Sequence, residues 1–122
     1  MKTAVIGSRS LYVQNLAAYL PEGTDEIVSG GAKGIDACAT AFAAQQGMRL
    51  TVFRPDYRRF GKGAPLKRNE EIVRYADYVV ILWDGQSHGS RHVLSLCLRW
   101  EKPYLLRILP SDRLDNTLPD MV

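Results

Sequence analysis

The chain has 122 residues, enough for one domain with a real core, and its hydrophobic share of 46% is that of an ordinary globular protein. No apolar run approaches the ~18 residues of a membrane helix, which excludes a helical membrane protein, and no low-complexity tract is present. The net charge of +3 is small, so the placement of the cations carries more information than their sum.

The opening MKTAVIGSRS has an apolar stretch too short for a leader peptide and reads as a first strand, Thr3–Ile6, stopped by Gly7-Ser8-Arg9. Val13, Leu16, Ala17 and Leu20 then repeat at helical spacing, which predicts a helix ended by Pro21 and Gly23. Glu26–Ser29 is the second strand. The loop Ser29-Gly30-Gly31-Ala32-Lys33-Gly34 follows, and a helix with Ile35, Cys38, Ala39 and Phe42 on one face runs to about Gln46, where Gly47 stops it. Leu50–Phe53 is a third strand, and RPDYRRFGKGA is a long polar loop before Pro65 opens the next helix. Tyr78–Trp83, the most continuous apolar run, predicts a central strand buried on both faces. The loop Asp84–Ser90 leads into a helix ending near Trp100, Tyr104–Leu109 is the fifth strand, and residues 110–122 form a tail without periodicity. Both cysteines, Cys38 and Cys97, fall on apolar helical stripes and are expected to be reduced, as in a cytoplasmic protein.

Five strands alternating with four helices predict an α/β fold: right-handed βαβ units, a five-stranded, mostly parallel sheet and helices on both faces. With strand order 3-2-1-4-5, the chain reverses direction across the sheet between strands one and four, and ligands bind outside the carboxyl ends of the strands there. The loops at that edge hold the glycines and most of the cations. Of the sixteen lysines and arginines, nine lie in or beside them: Arg9, Lys33, Arg54, Arg58, Arg59, Lys62, Lys67, Arg68 and Arg91. A cationic mouth over amide-rich loops suits a phosphorylated ligand or a nucleic-acid backbone. A solvated basic surface is the plainer alternative.

The loop Ser29–Asp36 is read as a phosphate-binding turn, because bare amides at a helix N-terminus attract an anion and Lys33 adds charge. Glycines used only for geometry are the alternative. Asp36, in the first helical turn, either steadies the helix dipole or accepts hydrogen bonds from a ribose. Asn69 stands where the third helix should be apolar, so its amide must be hydrogen-bonded, with the glycine loops as the expected partner, while Arg68 is expected to reach solvent or ligand. Asp84-Gly85-Gln86-Ser87-His88-Gly89-Ser90 is a second Gly/Ser loop; Ser87 or Ser90 can cap the helix it opens, or the two loops can clamp one nucleotide. His88 and His92 are four apart, but no third ligand follows at a suitable spacing, so no metal is expected. Asp84, Ser87 and His88 do not make a catalytic triad, since no G-x-S-x-G elbow is present.

Taken together, VIGSR, IVSGGAKGIDACA, RPDYRRFGKGAPLKRNEEIVRYAD and ILWDGQSHGSRHV resemble the corresponding segments of the SLOG superfamily of Rossmann-like nucleotide-binding domains, in its small bacterial branch related to YspA and YpsA. SGGAKGID also resembles the DNA-processing protein DprA of the same superfamily. The resemblance implies a Rossmann-like three-layer α/β/α sandwich over residues 1–109. The superfamily's Lonely-guy phosphoribohydrolases carry PGGxGTxxE after the fourth strand, with a catalytic glutamate. Here Gly89-Ser90 matches the G-T pair and Val93 stands at the glutamate position, so a binding module is expected rather than a hydrolase.

The ligand-binding set expected from these readings is Gly7, Ser8, Arg9, Ser29, Gly30, Gly31, Lys33, Gly34, Asp36, Arg68, Asn69, Asp84, Gly85, Ser87, Gly89 and Ser90. The expected partner is a nucleotide-like small molecule, with no cofactor and no membrane, and a homo-oligomer is left open. Two alternatives stand beside it. One is N-glycosidic hydrolysis with Asp36 or Asp84 as a displaced acid. The other is single-stranded DNA binding by the basic loop, where Tyr57 and Phe60 alternate with cations.

Overall fold

A computed structural model describes residues 1–110; the predicted tail from 111 onward lies outside the described residues. Five strands, β1 (Lys2–Gly7), β2 (Glu26–Ser29), β3 (Arg49–Val52), β4 (Tyr78–Trp83) and β5 (Tyr104–Ile108), form one sheet in the order β3-β2-β1-β4-β5. Every neighbouring pair is parallel, so the sheet is parallel throughout and has the predicted strand order. Three twelve-residue helices, α1 (Ile35–Gln46), α3 (Ala64–Tyr75) and α4 (His88–Arg99), carry the crossovers, and α2 (Tyr57–Phe60) is a single turn.

Alternation along the strands builds two cores. Ala4, Ile6, Val28, Val79 and Ile81 face Ile72 and Val73 of α3 and Val93, Leu96 and Cys97 of α4. On the other face, Val5, Ile27, Val80 and Leu82 meet Ile35, Ala39 and Ala43 of α1. The middle residues of β4, Val79 to Leu82, are fully buried, as its unbroken apolar run predicts. Cys97 is buried and burial pushes its thiol up to about 11; Cys38 is half-buried and also free. No helix among the described residues is long and apolar enough to cross a membrane.

The predicted helix over Val13–Leu20 does not form. Only a 3-10 turn, Leu16–Tyr19, is present, preceded by Asn15 at φ −110° and ψ 48°, outside the helical region. The amide of Val13 points to Cys38 Sγ of α1 at 3.4 Å instead of entering a helical ladder. Of the periodic apolar residues, Val13 and Leu16 are buried against α1's core beside Leu11, Leu20 is half-buried and Ala17 is exposed. β1 and β2 are adjacent, and this irregular strap covers the sheet face beside α1. The loop predicted over Arg54–Ala64 is also more ordered than expected. It contains α2, capped by Asp56 Oδ1 accepting from the Arg59 amide at 3.2 Å, and a 3-10 turn, Gly61–Gly63.

Candidate functional site

At the carboxyl end of the sheet, where the order reverses between β1 and β4, the loops enclose a cavity of about 550 Å³. Gly7, Ser8, Arg9, Gly30, Asp36, Arg68, Asn69, Asp84, Ser87, Gly89 and Ser90 line it, as the sequence reading places them. Gly31 and Lys33 do not. They line a second hollow of about 460 Å³, which shares Arg9, Gly30, Ala32 and Arg68 with the first and adds Arg54, Pro55 and Tyr57. Ser29, Gly34 and Gly85 line neither.

The first glycine loop is largely consumed by its own packing. Ser29 is fully buried and its Oγ accepts from the Gly31 amide at 3.1 Å. Gly34 sits at φ +69°, and a Cβ there would lie 2.6 Å from the Arg9 carbonyl oxygen and against that of Ser8. A Cβ on Gly30 would fall 2.6 Å from Arg68 Nη1 and 2.9 Å from Asp36 Oδ2, so this glycine admits those two side chains and not only a ligand. Arg68, expected to reach outward, turns in: Nη1 donates to the Gly30 carbonyl at 2.6 Å and Nε to Asn69 Oδ1 at 3.0 Å. Burial draws its pKa down while Asp36 opposes the shift. Asn69 is hydrogen-bonded, but to Arg68 and to His92 Nδ1 at 3.1 Å, and thus reaches the glycine loop only through the guanidinium.

Asp36 is 5% exposed. Its Oδ2 accepts from the Ala32 amide at 3.1 Å, whereas Oδ1 is buried with no partner. Burial pushes the carboxyl above its ordinary range, against the Ala32 hydrogen bond and the nearby Arg68.

The second loop is arranged differently. Burial raises the pKa of Asp84, but hydrogen bonds outweigh it and leave the carboxyl below its usual range: Oδ1 accepts from the Ser87 and Gln86 amides at 2.9 and 2.8 Å. Ser8, 1% exposed, ties the loops together through Oγ, which accepts from the Asp84 amide at 2.9 Å and pairs with Ser87 Oγ at 2.9 Å. Neither serine caps α4: Ser87 is the N-cap residue but makes no side-chain cap, and Ser90 Oγ is buried without a partner. No acid lies in α4's first turn. The amides of His88, Gly89 and Ser90 make no hydrogen bond among the described residues, as expected of an uncapped helix start.

Val93 is fully buried in the core between α4 and the sheet and lines neither hollow. Among the described residues no group of three or more His, Cys, Asp or Glu side chains is placed to hold a metal. Seven residues that line the first cavity lie outside the expected set: Ile6, Ser10, Ala32, Lys62, Pro65, Leu66 and His88. Leu66, an apolar residue in α3's first turn, is 49% exposed, and Ala32 has no distinguishing chemistry. The usable signal for Leu66 was its place directly after Pro65, in the first turn, ahead of the core-facing Ile72 and Val73.

The model of the YspA, cpYpsA-related SLOG family matches residues 6–60, from the end of β1 through the first glycine loop to α2. Over that stretch the chain is similar to the SLOG superfamily, in this branch. No curated protein and no solved structure matches the chain significantly. The similarity points to a nucleotide-related function, and the matched stretch stops before β4 and the α4 end of the site.

Proposed function

We propose that this domain binds a nucleoside monophosphate-type ligand in the cavity between β1 and β4, as a sensor or accessory module, with the phosphate on the N-terminus of α4. One observation carries the reading: two buried polar atoms without partners among the described residues, Asp36 Oδ1 and Ser90 Oγ, belong to residues lining the same cavity. Buried polar groups are nearly always satisfied, so such a pair in one hollow marks groups kept for a ligand. Their chemistries differ in the way a nucleotide requires. Ser90 Oγ–H and the free amides of Gly89 and Ser90 offer donors to a phosphate at the positive end of a helix. The Asp36 carboxylate offers an acceptor to a ribose hydroxyl. Arg9 and Arg68 add positive charge at the cavity wall.

The test is calorimetric titration of the four common nucleoside monophosphates. Ser90→Ala is expected to weaken binding about tenfold or more, the size of a lost hydrogen bond to a charged group. Lys33→Ala, which faces the other hollow, is expected to change it less than twofold. The reverse ranking would return the phosphate to the first glycine loop and end this assignment.

A second reading rests on Asp36, whose buried, upward-shifted carboxyl in a cavity is what a general acid needs. On that reading the domain releases free base from the monophosphate despite Val93. Turnover that disappears in Asp36→Asn, with binding retained, would select it over the sensor.

A further inference from the structure

We propose that the ligand is a dinucleotide-like molecule, two nucleoside halves joined through their phosphates, and that the second hollow holds its second half. The proposal rests on the monophosphate reading above and extends it across the shared wall. The two hollows are not separate sites. Arg9, Gly30, Ala32 and Arg68 line both, with the Arg68 guanidinium packed over Gly30 at the shared wall. The Arg9 side chain makes no hydrogen bond or ion pair with a described residue, and Arg68 commits Nε and Nη1 to the protein while Nη2 has no partner among the described residues. Two guanidinium groups on one ridge suit linking phosphates, which carry charge in the middle of such a ligand.

Beyond the ridge the hollow has no carboxylate lining and three further features of its own. Lys33 and Arg54 supply cations; among the described residues Arg54 hydrogen-bonds to the Gly31 carbonyl alone, at a weak 3.5 Å. Tyr57, at the start of α2, lines the hollow and is 59% exposed, and an exposed aromatic ring is what a base stacks on. Each hollow alone lies within the roughly 300–1,000 Å³ of ordinary small-molecule pockets. A mononucleotide would leave the second of them, and the exposed Tyr57 that lines it, without a use.

The experiment compares the four nucleoside monophosphates with the symmetrical 5′,5′-dinucleoside pyrophosphates of the same bases, titrated calorimetrically against the parent, Tyr57→Ala and Arg54→Ala. At least one pyrophosphate is expected to bind tenfold or more tighter than its monophosphate. Tyr57→Ala should lower that gain about tenfold, in line with loss of one base–aromatic stack, and leave monophosphate affinity within twofold. Arg54→Ala, which removes charge only, should lower it by less. Monophosphate binding that depends on Ser90, with no gain for any pyrophosphate or a gain indifferent to Tyr57, would overturn this inference and leave the monophosphate reading standing. Equal losses for both ligands in Tyr57→Ala would overturn it too. Binding of neither class, with tight binding of a single-stranded oligonucleotide, would overturn both.

Discussion

The two glycine-bearing loops, Ser29–Asp36 and Asp84–Ser90, are built alike in sequence, each running from a strand through Gly and Ser into a twelve-residue helix. They differ in what stands at the helix N-terminus. At α1 the protein supplies its own anion, Asp36, in the first turn. The glycines beside it are spent on contacts with the Ser8–Arg9 backbone and with Arg68. At α4 the loop's acid, Asp84, is held outside the helix by the Gln86 and Ser87 amides, and the first-turn amides are left free beside an unpartnered hydroxyl. Glycine content therefore marks where backbone packs closely, whereas unpaired donors mark where an anion can sit.

Alanine at Gly34 and at Gly89 gives the largest test of that contrast. At Gly34 the new Cβ meets backbone oxygens of Ser8 and Arg9, and φ is +69°, so neither neighbour can retreat cheaply. We expect Gly34→Ala to lose about 3 kcal/mol or more of stability by chemical denaturation. At Gly89 nothing lies within 4 Å of a Cβ and φ is not positive. Gly89→Ala is expected to keep the fold or to gain up to about 1 kcal/mol, as replacing a helical glycine does, while ligand affinity falls because the methyl stands among the free amides. Equal destabilisation at the two positions would erase the distinction between the loops.

A smaller effect comes from Asp36. Its folded pKa is raised, so the folded state binds the proton more tightly than the unfolded chain does. The stability it confers is present at low pH and is lost as pH climbs from the ordinary carboxylate value, about 3.9, through the raised one. Asp36→Asn keeps an oxygen for the Ala32 amide and removes a buried charge. The variant without ligand is therefore expected to gain about 1 kcal/mol at pH 7, a melting temperature higher by several degrees, and little at pH 4. The upward shift in melting temperature on adding monophosphate should shrink. A destabilised Asn variant at pH 7 would mean that the carboxylate is held for structure and not for a ligand.

Much of the fold was legible because its signals are local and strong. β2 and β4 have the boundaries their residues predict, and Gly47 ends α1 in the left-handed conformation a stop glycine supplies. The strap before β2 was misread for a physical reason. Val13 and Leu16 of the helical pattern are buried, with Ala17 exposed, and residues three apart can pack against α1 from an irregular strap as well as from a helix. In the site, the sequence indicated which loops meet at the sheet edge but not how they pack on one another. Nothing in SGGAKGID says that Gly30 will face Arg68 from thirty-eight positions away, or that Gly31 and Lys33 will line a different hollow. Those are tertiary facts. Glu26 is the clearest omission: a carboxylate at the opposite end of the sheet, 4% exposed, that Tyr75 OH and Thr51 Oγ1 hold at 2.6 and 2.8 Å. In sequence it is an ordinary acid before an apolar strand.

The finest effect concerns the link between the two loops. His92 on α4 is joined through Asn69 to Arg68, and Arg68 holds the Gly30 carbonyl of the other loop. The direction of each bond is set by the next. Arg68 Nε can only donate, so Asn69 presents Oδ1 to it and turns Nδ2 toward His92, whose Nδ1 must then accept and carry no proton. Burial lowers the His92 pKa, Glu70 opposes this and Arg99 adds to it. A histidine with a depressed folded pKa binds protons better in the unfolded chain, so its contribution is present at neutral pH and is lost as pH falls from about 6.5 through the depressed value. Protonation would face an N–H with an amide N–H, and relief by turning the Asn69 amide would take Oδ1 from Arg68. We expect stability to decline by less than about 1 kcal/mol between pH 7 and 5 on this account. His92→Gln, which can keep an acceptor toward Asn69 at every pH, should flatten that step. Stability is the right readout, because a ligand phosphate titrates near pH 6 itself and would blur a binding curve. An unchanged step in His92→Gln would show that the loops are coupled without the histidine.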